Sequence, residues 1–164
     1  MNLNNTKFII ASGPVIIENG KVLLNRHGHP EESFDKIYPE QGRGTRDLRE
    51  LRFWKFPGGR IENFDFANQL NSLEEACKRE VKEEMGLEIE IIRPLKPMMI
   101  KHPDKPNTVV ILIHYQAKRL NDIKPANFIE EYAWFNINNL PKNCAPNIKI
   151  VIDEYITDRT KKYE

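Results

Sequence analysis

The chain has 164 residues, a length that suits one ordinary domain and leaves little room for two. Apolar residues make up 40% and charged residues 30%, which is enough to build a buried core and argues against wholesale disorder. Lys and Arg number 25 against 24 for Asp and Glu, so we do not expect a near-neutral chain of this kind to bind nucleic acid.

Three further features predict a soluble protein of the cytoplasm with no membrane partner. The longest apolar run, Val109–Ile113, is far too short to span a bilayer. Residues 1–7 lack a basic stretch followed by an apolar run, so we expect no secretory signal peptide. The two cysteines, Cys77 and Cys144, indicate neither a disulfide framework nor a zinc cluster.

The first part of the chain predicts a β-hairpin followed by a long loop. Asn19-Gly20 is the strongest short hairpin signal, and it separates two β-branched apolar runs. Residues 27–52 are polar, contain several Pro and Gly residues, and predict a loop. The strands predicted in this part cover residues 8–17, 22–24 and 53–56, and the last of them ends at Pro57-Gly58-Gly59.

A second polar loop reaches Asn71 and leads into a helix. Ser72-Leu73-Glu74-Glu75 forms a capping box, so we predict a helix that begins at Ser72 and runs to about Met85. Gly86 is the expected left-handed stop of this helix.

The remaining sequence predicts further strands and a closing helix. Apolar residues recur over residues 147–158 and indicate a helix that packs on the sheet. The strands predicted here cover residues 89–92, 98–100, 108–117 and 132–135, with a turn over 102–107. Several strands combined with two well-separated helices predict an α/β sandwich.

The helix over residues 72–85 carries carboxylates where its apolar side should lie. At about 100° per residue, Glu80 and Glu84 fall inside the apolar stripe and Glu83 falls at its edge. A carboxylate that faces a core unpaired costs several kcal/mol, and the helix dipole disfavours negative charge in the last turns. Such violations of local rules are expected at functional sites. The stripe consists of Leu73, Ala76, Cys77, Val81 and Met85.

A hard divalent cation would compensate for these three carboxylates. Glutamates at positions i, i+3 and i+4 converge within one helix turn, and a ligand set made only of oxygen favours Mg²⁺ or Mn²⁺ over zinc. Mg²⁺ at such a site bridges carboxylates and substrate phosphate oxygens, which indicates phosphate-ester or pyrophosphate chemistry. The alternative is the solvated acidic end of a Glu-rich helix.

The run from Pro57 to Leu87 resembles the Nudix box, G-x5-E-x7-R-E-U-x-E-E-x-G-U, in which U is apolar. The flanking hairpin, the aromatic strand before Pro57, the late strand Glu131–Phe135 and the closing helix are also similar to the family. The resemblance implies one Nudix domain over residues 1–164, an α/β/α sandwich with a mixed central sheet. The second half of the box matches at every fixed position: Arg79, Glu80, Val81, Glu83, Glu84, Gly86 and Leu87.

The first half of the box departs from the family pattern. The position of the family's first glutamate, which supports the motif arginine, is occupied by Asn71, and the loop 63–71 is longer than the usual turn. Arg79 therefore needs another acidic partner, for which Glu62 and Asp65 are the candidates. We expect activity nevertheless, because the three metal carboxylates are intact.

The resemblance implies Mg²⁺- or Mn²⁺-dependent hydrolysis of the pyrophosphate bond of a nucleoside diphosphate linked to another moiety, such as the nucleotide sugar ADP-ribose. It implies a catalytic role for Arg79 and a general base that is Glu80, Glu83, or an acid of a later loop. The metal ligands that it implies are Glu80, Glu83, Glu84 and the carbonyl of Gly59, and the later-loop candidates for the base are Glu130 and Glu131.

An alternative function is that of a Nudix-fold sensor, which binds a nucleotide ligand and regulates a partner. The missing motif glutamate and the two long loops motivate this alternative. It is disfavoured because a module that only binds has little reason to keep three glutamates on an apolar stripe.

Four residues are candidates for contacts with a nucleotide-type small molecule. Arg46 and Arg52 belong to a series at every third position, which either clamps substrate phosphates or forms a solvated basic helix face. Arg26 ends a strand, where it either contacts substrate or has only a surface role. Phe64 follows the box glycines, where its ring either stacks on a base or fills the core. Homodimers are common in the family, so the resemblance also allows a dimer.

Overall fold

The computed structural model describes residues 5–27, 53–67, 72–102 and 105–161. Within these ranges the chain forms seven strands, two α-helices and one 3₁₀ helix. The strands are β1 (Lys7–Glu18), β2 (Lys21–His27), β3 (Gly59–Arg60), β4 (Ile89–Pro94), β5 (Met98–Lys101), β6 (Thr108–Arg119) and β7 (Ile129–Asn136). The helices are the 3₁₀ helix Asn63–Ala67, α1 (Ser72–Met85) and α2 (Pro146–Lys161).

The chain divides into two compact units, of which the first consists of Met1–Ile16 and Pro57–Ala126. In this unit β1 pairs in parallel with β6, and β4 and β5 each pair antiparallel with β6. The short strand β3 pairs antiparallel with β1, where Gly59 lies opposite Ser12. This pairing fixes the Gly58-Gly59 turn against the sheet that carries β1.

Helix α1 turns its predicted apolar stripe into the core of the first unit. Ala76, Cys77, Val81 and Met85 are all completely buried. The helix ends as predicted at Gly86, whose φ of 63° is left-handed and whose N–H donates to the carbonyl of Lys82 over 2.9 Å.

A segment after β6 satisfies the carbonyl groups at the end of α1. The amide of Lys124 donates to the carbonyl of Met85 over 2.8 Å, and the amide of Ala126 donates to that of Glu84 over 2.9 Å. The side chain of Asn121 donates to the carbonyl of Gly86 over 2.9 Å and accepts from the amide of Glu88 over 2.8 Å. The last carbonyl groups of α1 have no partner inside the helix, and this segment supplies their hydrogen bonds.

The second unit consists of Ile17–Phe56 and Asn127–Glu164. Here the end of β1 turns into β2 at Asn19-Gly20, where φ is 50° and 72°, and the predicted hairpin is confirmed. Strand β2 pairs antiparallel with β7 along its length. Helix α2 buries one apolar side that consists of Ile148, Val151, Ile152 and Tyr155.

The strands and helices confirm the predicted α/β class, with three differences from the predicted elements, the first of which is the unpredicted short strand β3. Residues 53–56 do not form a strand, because Trp54 and Lys55 make only single bridges to Cys144 and Asn25. The loop before α1 contains the 3₁₀ helix Asn63–Ala67, which the sequence did not predict. Residues 28–52, with the predicted basic helix face, lie outside the described residues. In the described part of the chain, no helix has the length and apolar character needed to cross a membrane.

Candidate active site

The three glutamates of α1 differ in exposure as their positions on the helix predict. Glu84 is 4% exposed, and the side chain of Glu80 is 12% exposed. The side chain of Glu83 is 56% exposed, in agreement with its place at the edge of the apolar stripe. Two carboxylates thus lie on the buried side of α1, and the third lies at its margin.

The guanidinium of Arg79 contacts three carboxylates. It donates to Asp65 through Nε and Nη2 over 2.7 and 2.8 Å, to Glu80 Oε1 over 2.7 Å and to Glu83 Oε2 over 3.0 Å. It also donates to the backbone carbonyl of Arg60 over 3.1 Å. Burial opposes the charge of Arg79, but the hydrogen bonds and charges of these acids outweigh burial and raise its pKa above the ordinary value.

Asp65 is the acid that pairs with Arg79 in this structure. It lies on the 3₁₀ helix, is 8% exposed, and accepts a further hydrogen bond of 2.7 Å from the amide of Glu62. Burial raises the pKa of Asp65, but the bonds from Arg79 and from this amide outweigh burial and hold the pKa below its usual 3.8. Of the two candidates left open by the sequence, Glu62 thus contributes its backbone and Asp65 its carboxylate.

The Gly58-Gly59 turn brings bare backbone against two of the glutamates. The amide of Gly58, at φ 139°, donates to Glu84 Oε2 over 2.9 Å. A Cβ atom on Gly58 would lie 2.6 Å from the Cα of Gly13, and a Cβ on Gly59 would lie 2.6 Å from Glu80 Cδ and overlap its Oε2. Only residues without a side chain allow this approach.

The electrostatics of the site favour a cation. Burial raises the pKa of Glu80 to about 7; the charges of Glu84 and Glu83 add to this effect, whereas Arg79 opposes it. Arg79 is shared among Asp65, Glu80 and Glu83, so its single charge cannot balance theirs. Three carboxylates with excess negative charge are hard oxygen donors, and their chemistry fits Mg²⁺ or Mn²⁺.

The three glutamate carboxylates do not adopt a metal-coordinating arrangement in this structure. Among the described residues, no group of three or more His, Cys, Asp or Glu side chains lies close enough to hold a metal ion. The contacts given above explain this, because Arg79 binds Glu80 and Glu83, and the Gly58 amide binds Glu84. A cation at this site would therefore have to draw Glu80 and Glu83 away from the guanidinium.

The other predicted site residues divide between the two units. Phe64 belongs to the first unit, is 61% exposed, and holds its ring centroid 4.8 Å from the guanidinium carbon of Arg79. Arg26 belongs to the second unit, where it forms an ion pair of 2.6 Å with Glu131. The last two candidates, Arg46 and Arg52, lie outside the described residues.

The surroundings of Arg26 differ from the prediction in one respect. Glu130 and Glu131 lie on β7 and not on a loop, and both contact Arg26, over 3.9 and 2.6 Å. The guanidinium carbon of Arg26 lies 5.3 Å from the ring centroid of Trp54. Trp54 is buried and packs edge to face on Phe135, so it is a core residue of the second unit.

Sequence reasoning missed three contacts of the site. It did not predict that Gly58 donates to Glu84, that the Arg60 carbonyl accepts from Arg79, or that the Phe64 ring covers Arg79. The adjacent glycines were the available signal for the first contact. The other two depend on the 3₁₀ helix and on β3, and neither element has a clear pattern in its residues.

Comparison with known families decides which family this site represents. A family model described as the NUDIX domain matches residues 11–155. The chain belongs to the Nudix family. The predicted family and the predicted enzyme class, a Nudix pyrophosphohydrolase, are thereby confirmed. No curated protein matches the sequence.

Solved structures of other proteins share the fold of this chain. A MutT protein from Methanosarcina mazei Go1 has a TM-score of 0.67 at 20% identity and covers 94% of this chain and 96% of its own. A Nudix hydrolase from Nitrosomonas europaea has a TM-score of 0.66 at 19% identity, and the match covers 93% of this chain and 90% of the hydrolase. An ADP-ribose pyrophosphatase from Streptococcus suis 89-1591 has a TM-score of 0.54 at 21% identity, and the match covers 90% of this chain and 91% of the pyrophosphatase. These likenesses confirm the predicted α/β/α sandwich.

Proposed function

We propose that this Nudix protein hydrolyses the pyrophosphate bond of a nucleoside diphosphate linked to another moiety, in a reaction that depends on Mg²⁺ or Mn²⁺. The observation that carries the proposal is the placement of two carboxylates, the buried one of Glu84 and the largely buried one of Glu80, directly against the Gly58-Gly59 turn. A protein gains nothing in stability from buried excess negative charge, so a ligand of opposite charge is the physical reason to keep it.

The residues that would hold the cation are Glu80, Glu83, Glu84 and the carbonyl of Gly59. When bound, a Mg²⁺ ion supplies charge neutralisation at the pyrophosphate oxygens and an acidified water molecule. Without the cation, Arg79 binds Glu80 and Glu83 and the Gly58 amide binds Glu84, so each carboxylate has a partner until the cation takes Glu80 and Glu83 from Arg79. The lack of a side chain at Gly59 leaves the space that the Glu80 carboxylate occupies, so the Gly59 backbone and this carboxylate lie side by side.

Of the general-base candidates on α1, we propose Glu83. Its side chain is 56% exposed, so water can reach it, whereas the side chain of Glu80 is 12% exposed. Glu130 and Glu131 are less suited, because both are engaged with Arg26.

The proposed substrate class includes nucleotide sugars, with ADP-ribose as the first compound to test. Two observations support this choice. The Streptococcus suis neighbour is named for its action on ADP-ribose. The ring of Phe64 is exposed and is held in place by Arg79, so its open face can stack on a nucleobase. Such a small-molecule enzyme is proposed to act in the cytoplasm.

The sensor alternative is less well supported than the enzyme. Its main motive was the missing motif glutamate, which would have left Arg79 without an acidic partner. Asp65 provides that partner with two hydrogen bonds. The arrangement of arginine and glutamates is therefore complete without the motif residue.

A substrate panel tests the proposal. The purified protein is incubated with ADP-ribose, other nucleoside diphosphate sugars and nucleoside triphosphates, and released nucleoside monophosphate is quantified by chromatography. We expect turnover of at least one diphosphate-linked substrate, loss of turnover in EDTA, and recovery on addition of Mg²⁺. Tight binding of these compounds without turnover in either Mg²⁺ or Mn²⁺ would contradict the enzyme and favour the sensor.

A further inference from the structure

We infer that Asp65 is a positioning residue of this site, which acts through Arg79 to leave Glu80 and Glu83 available to a divalent cation. The inference rests on the proposed function, since it concerns the same carboxylates. It goes beyond that function because it assigns a role to the 3₁₀ helix Asn63–Ala67, which lies in the loop 63–71 before α1.

Asp65 holds Arg79 in a fixed orientation. Both carboxylate oxygens accept from the guanidinium, over 2.7 and 2.8 Å, and paired bonds of this kind orient the planar group as well as binding it. The amide of Glu62 fixes Asp65 in turn, and the low exposure of Asp65 protects the pair from screening by salt. The ring of Phe64 covers the guanidinium at 4.8 Å.

The charges explain why this arrangement matters for the glutamates. Asp65 and Arg79 together form a neutral pair, so the charges of Glu80 and Glu83 remain for another partner. In this structure Arg79 pairs with Asp65, Glu80 and Glu83. If Asp65 lost its charge, Glu80 and Glu83 would be the two carboxylates left of these three. A cation would then compete with an arginine that has no other carboxylate to bind. With Asp65 present, Arg79 keeps a buried partner when the two glutamates turn to the cation.

Direct Mn²⁺ binding to the metal-free protein tests the inference without any use of activity. Isothermal titration calorimetry is performed on the wild type, Asp65→Asn and Asp65→Glu, with circular dichroism as the check on folding. We expect Asp65→Asn to weaken Mn²⁺ binding by roughly 10- to 100-fold, the usual cost of losing a partner behind a metal ligand. Asp65→Glu keeps the charge and is expected to stay within about threefold of the wild type.

Two further variants separate the role of Asp65 from a general loss of stability. Asp122 also pairs with an arginine, Arg119, over 3.5 Å, but its side chain is 97% exposed, so Asp122→Asn should leave Mn²⁺ affinity unchanged. In an Arg79→Lys background, Asp65→Asn should change the affinity by less than about threefold, because the two residues act through one contact.

The outcomes distinguish this inference from the proposed function. A wild-type protein that neither binds Mn²⁺ nor hydrolyses any substrate would overturn the proposed function. A wild type that binds Mn²⁺, with a folded Asp65→Asn variant that binds it equally well, would overturn the inference alone. If Asp65→Asn does not fold, Asp65→Glu decides the matter. A loss of Mn²⁺ affinity of tenfold or more in this variant would overturn the inference, because the negative charge at residue 65 would then not be what supports Mn²⁺ binding.

Discussion

Replacing Gly59 by alanine tests whether the close approach of the glycine turn to α1 is needed for catalysis. The added Cβ would lie 2.6 Å from Glu80 Cδ, whereas unstrained carbon contacts lie at about 3.5–4.0 Å. The Glu80 carboxylate must therefore retreat by about 1 Å. A displacement of this size in a catalytic constellation costs about 100-fold in rate, so we expect kcat/KM to fall by about that factor.

The same substitution should have little effect on stability. The φ angle of Gly59 is not positive, so alanine introduces no backbone strain, and the atom that must move is the end of a side chain. We expect a change of at most about 1 kcal/mol in the free energy of unfolding. For a protein of this size, that corresponds to about 2–4 °C in Tm.

Gly20→Ala is the matched control, because its expected effects are reversed. Gly20 has a φ of 72° and no atom within 4 Å of its added Cβ, so the variant carries strain but no clash. We expect a loss of about 1–2 kcal/mol in stability with unchanged kcat/KM. Both variants are assayed with Mg²⁺ and melted by differential scanning calorimetry. Wild-type kcat/KM in Gly59→Ala would refute the reasoning that the turn and Glu80 must meet closely.

Three further predictions follow from the described contacts. Glu83→Gln and Glu84→Gln should each lower kcat by at least about 100-fold with an unchanged circular dichroism spectrum, and a near-normal rate in the double variant would refute the metal assignment. Burial lowers the pKa of His114 from 6.5 to about 4, so between these pH values the unfolded chain binds a proton that the folded chain does not. The free energy of unfolding should therefore fall by up to about 3 kcal/mol from pH 6.5 to pH 4. Urea titrations over this range should show a smaller fall in His114→Gln than in the wild type. Asn121→Ala removes two hydrogen bonds to the backbone just beyond α1 and should cost about 1–2 kcal/mol in urea unfolding; an unchanged midpoint would show that this tie contributes nothing.

The parts of the fold that could be predicted are those with local signals. The start and stop of α1, its apolar stripe, and the hairpin at Asn19-Gly20 all depend on residues within a few positions of one another. The unusual positions of Glu80 and Glu84 could be recognised for the same reason, since helical periodicity places them on the stripe.

The contacts that could not be predicted join residues far apart in the chain. Gly58 and Glu84 are 26 residues apart, and Asp65 and Arg79 are 14 apart, so neither pair leaves a periodic pattern. The choice between Asp65 and Glu62 depended on a 3₁₀ helix whose sequence, Asn63–Ala67, carries no distinctive propensity. Only the fold determines which of these two acids presents its side chain and which presents its backbone.

The position of a Mn²⁺ ion in crystals of the wild-type protein tests the central claim most directly. Anomalous diffraction from crystals grown or soaked with Mn²⁺ locates the ion without reference to any substrate or activity. We predict a peak at about 2 Å from carboxylate oxygens of Glu80 and Glu84, with Glu83 turned away from Arg79. A Mn²⁺ peak elsewhere, with Glu80 and Glu83 still bound to Arg79, would contradict the claim that these glutamates form a metal site.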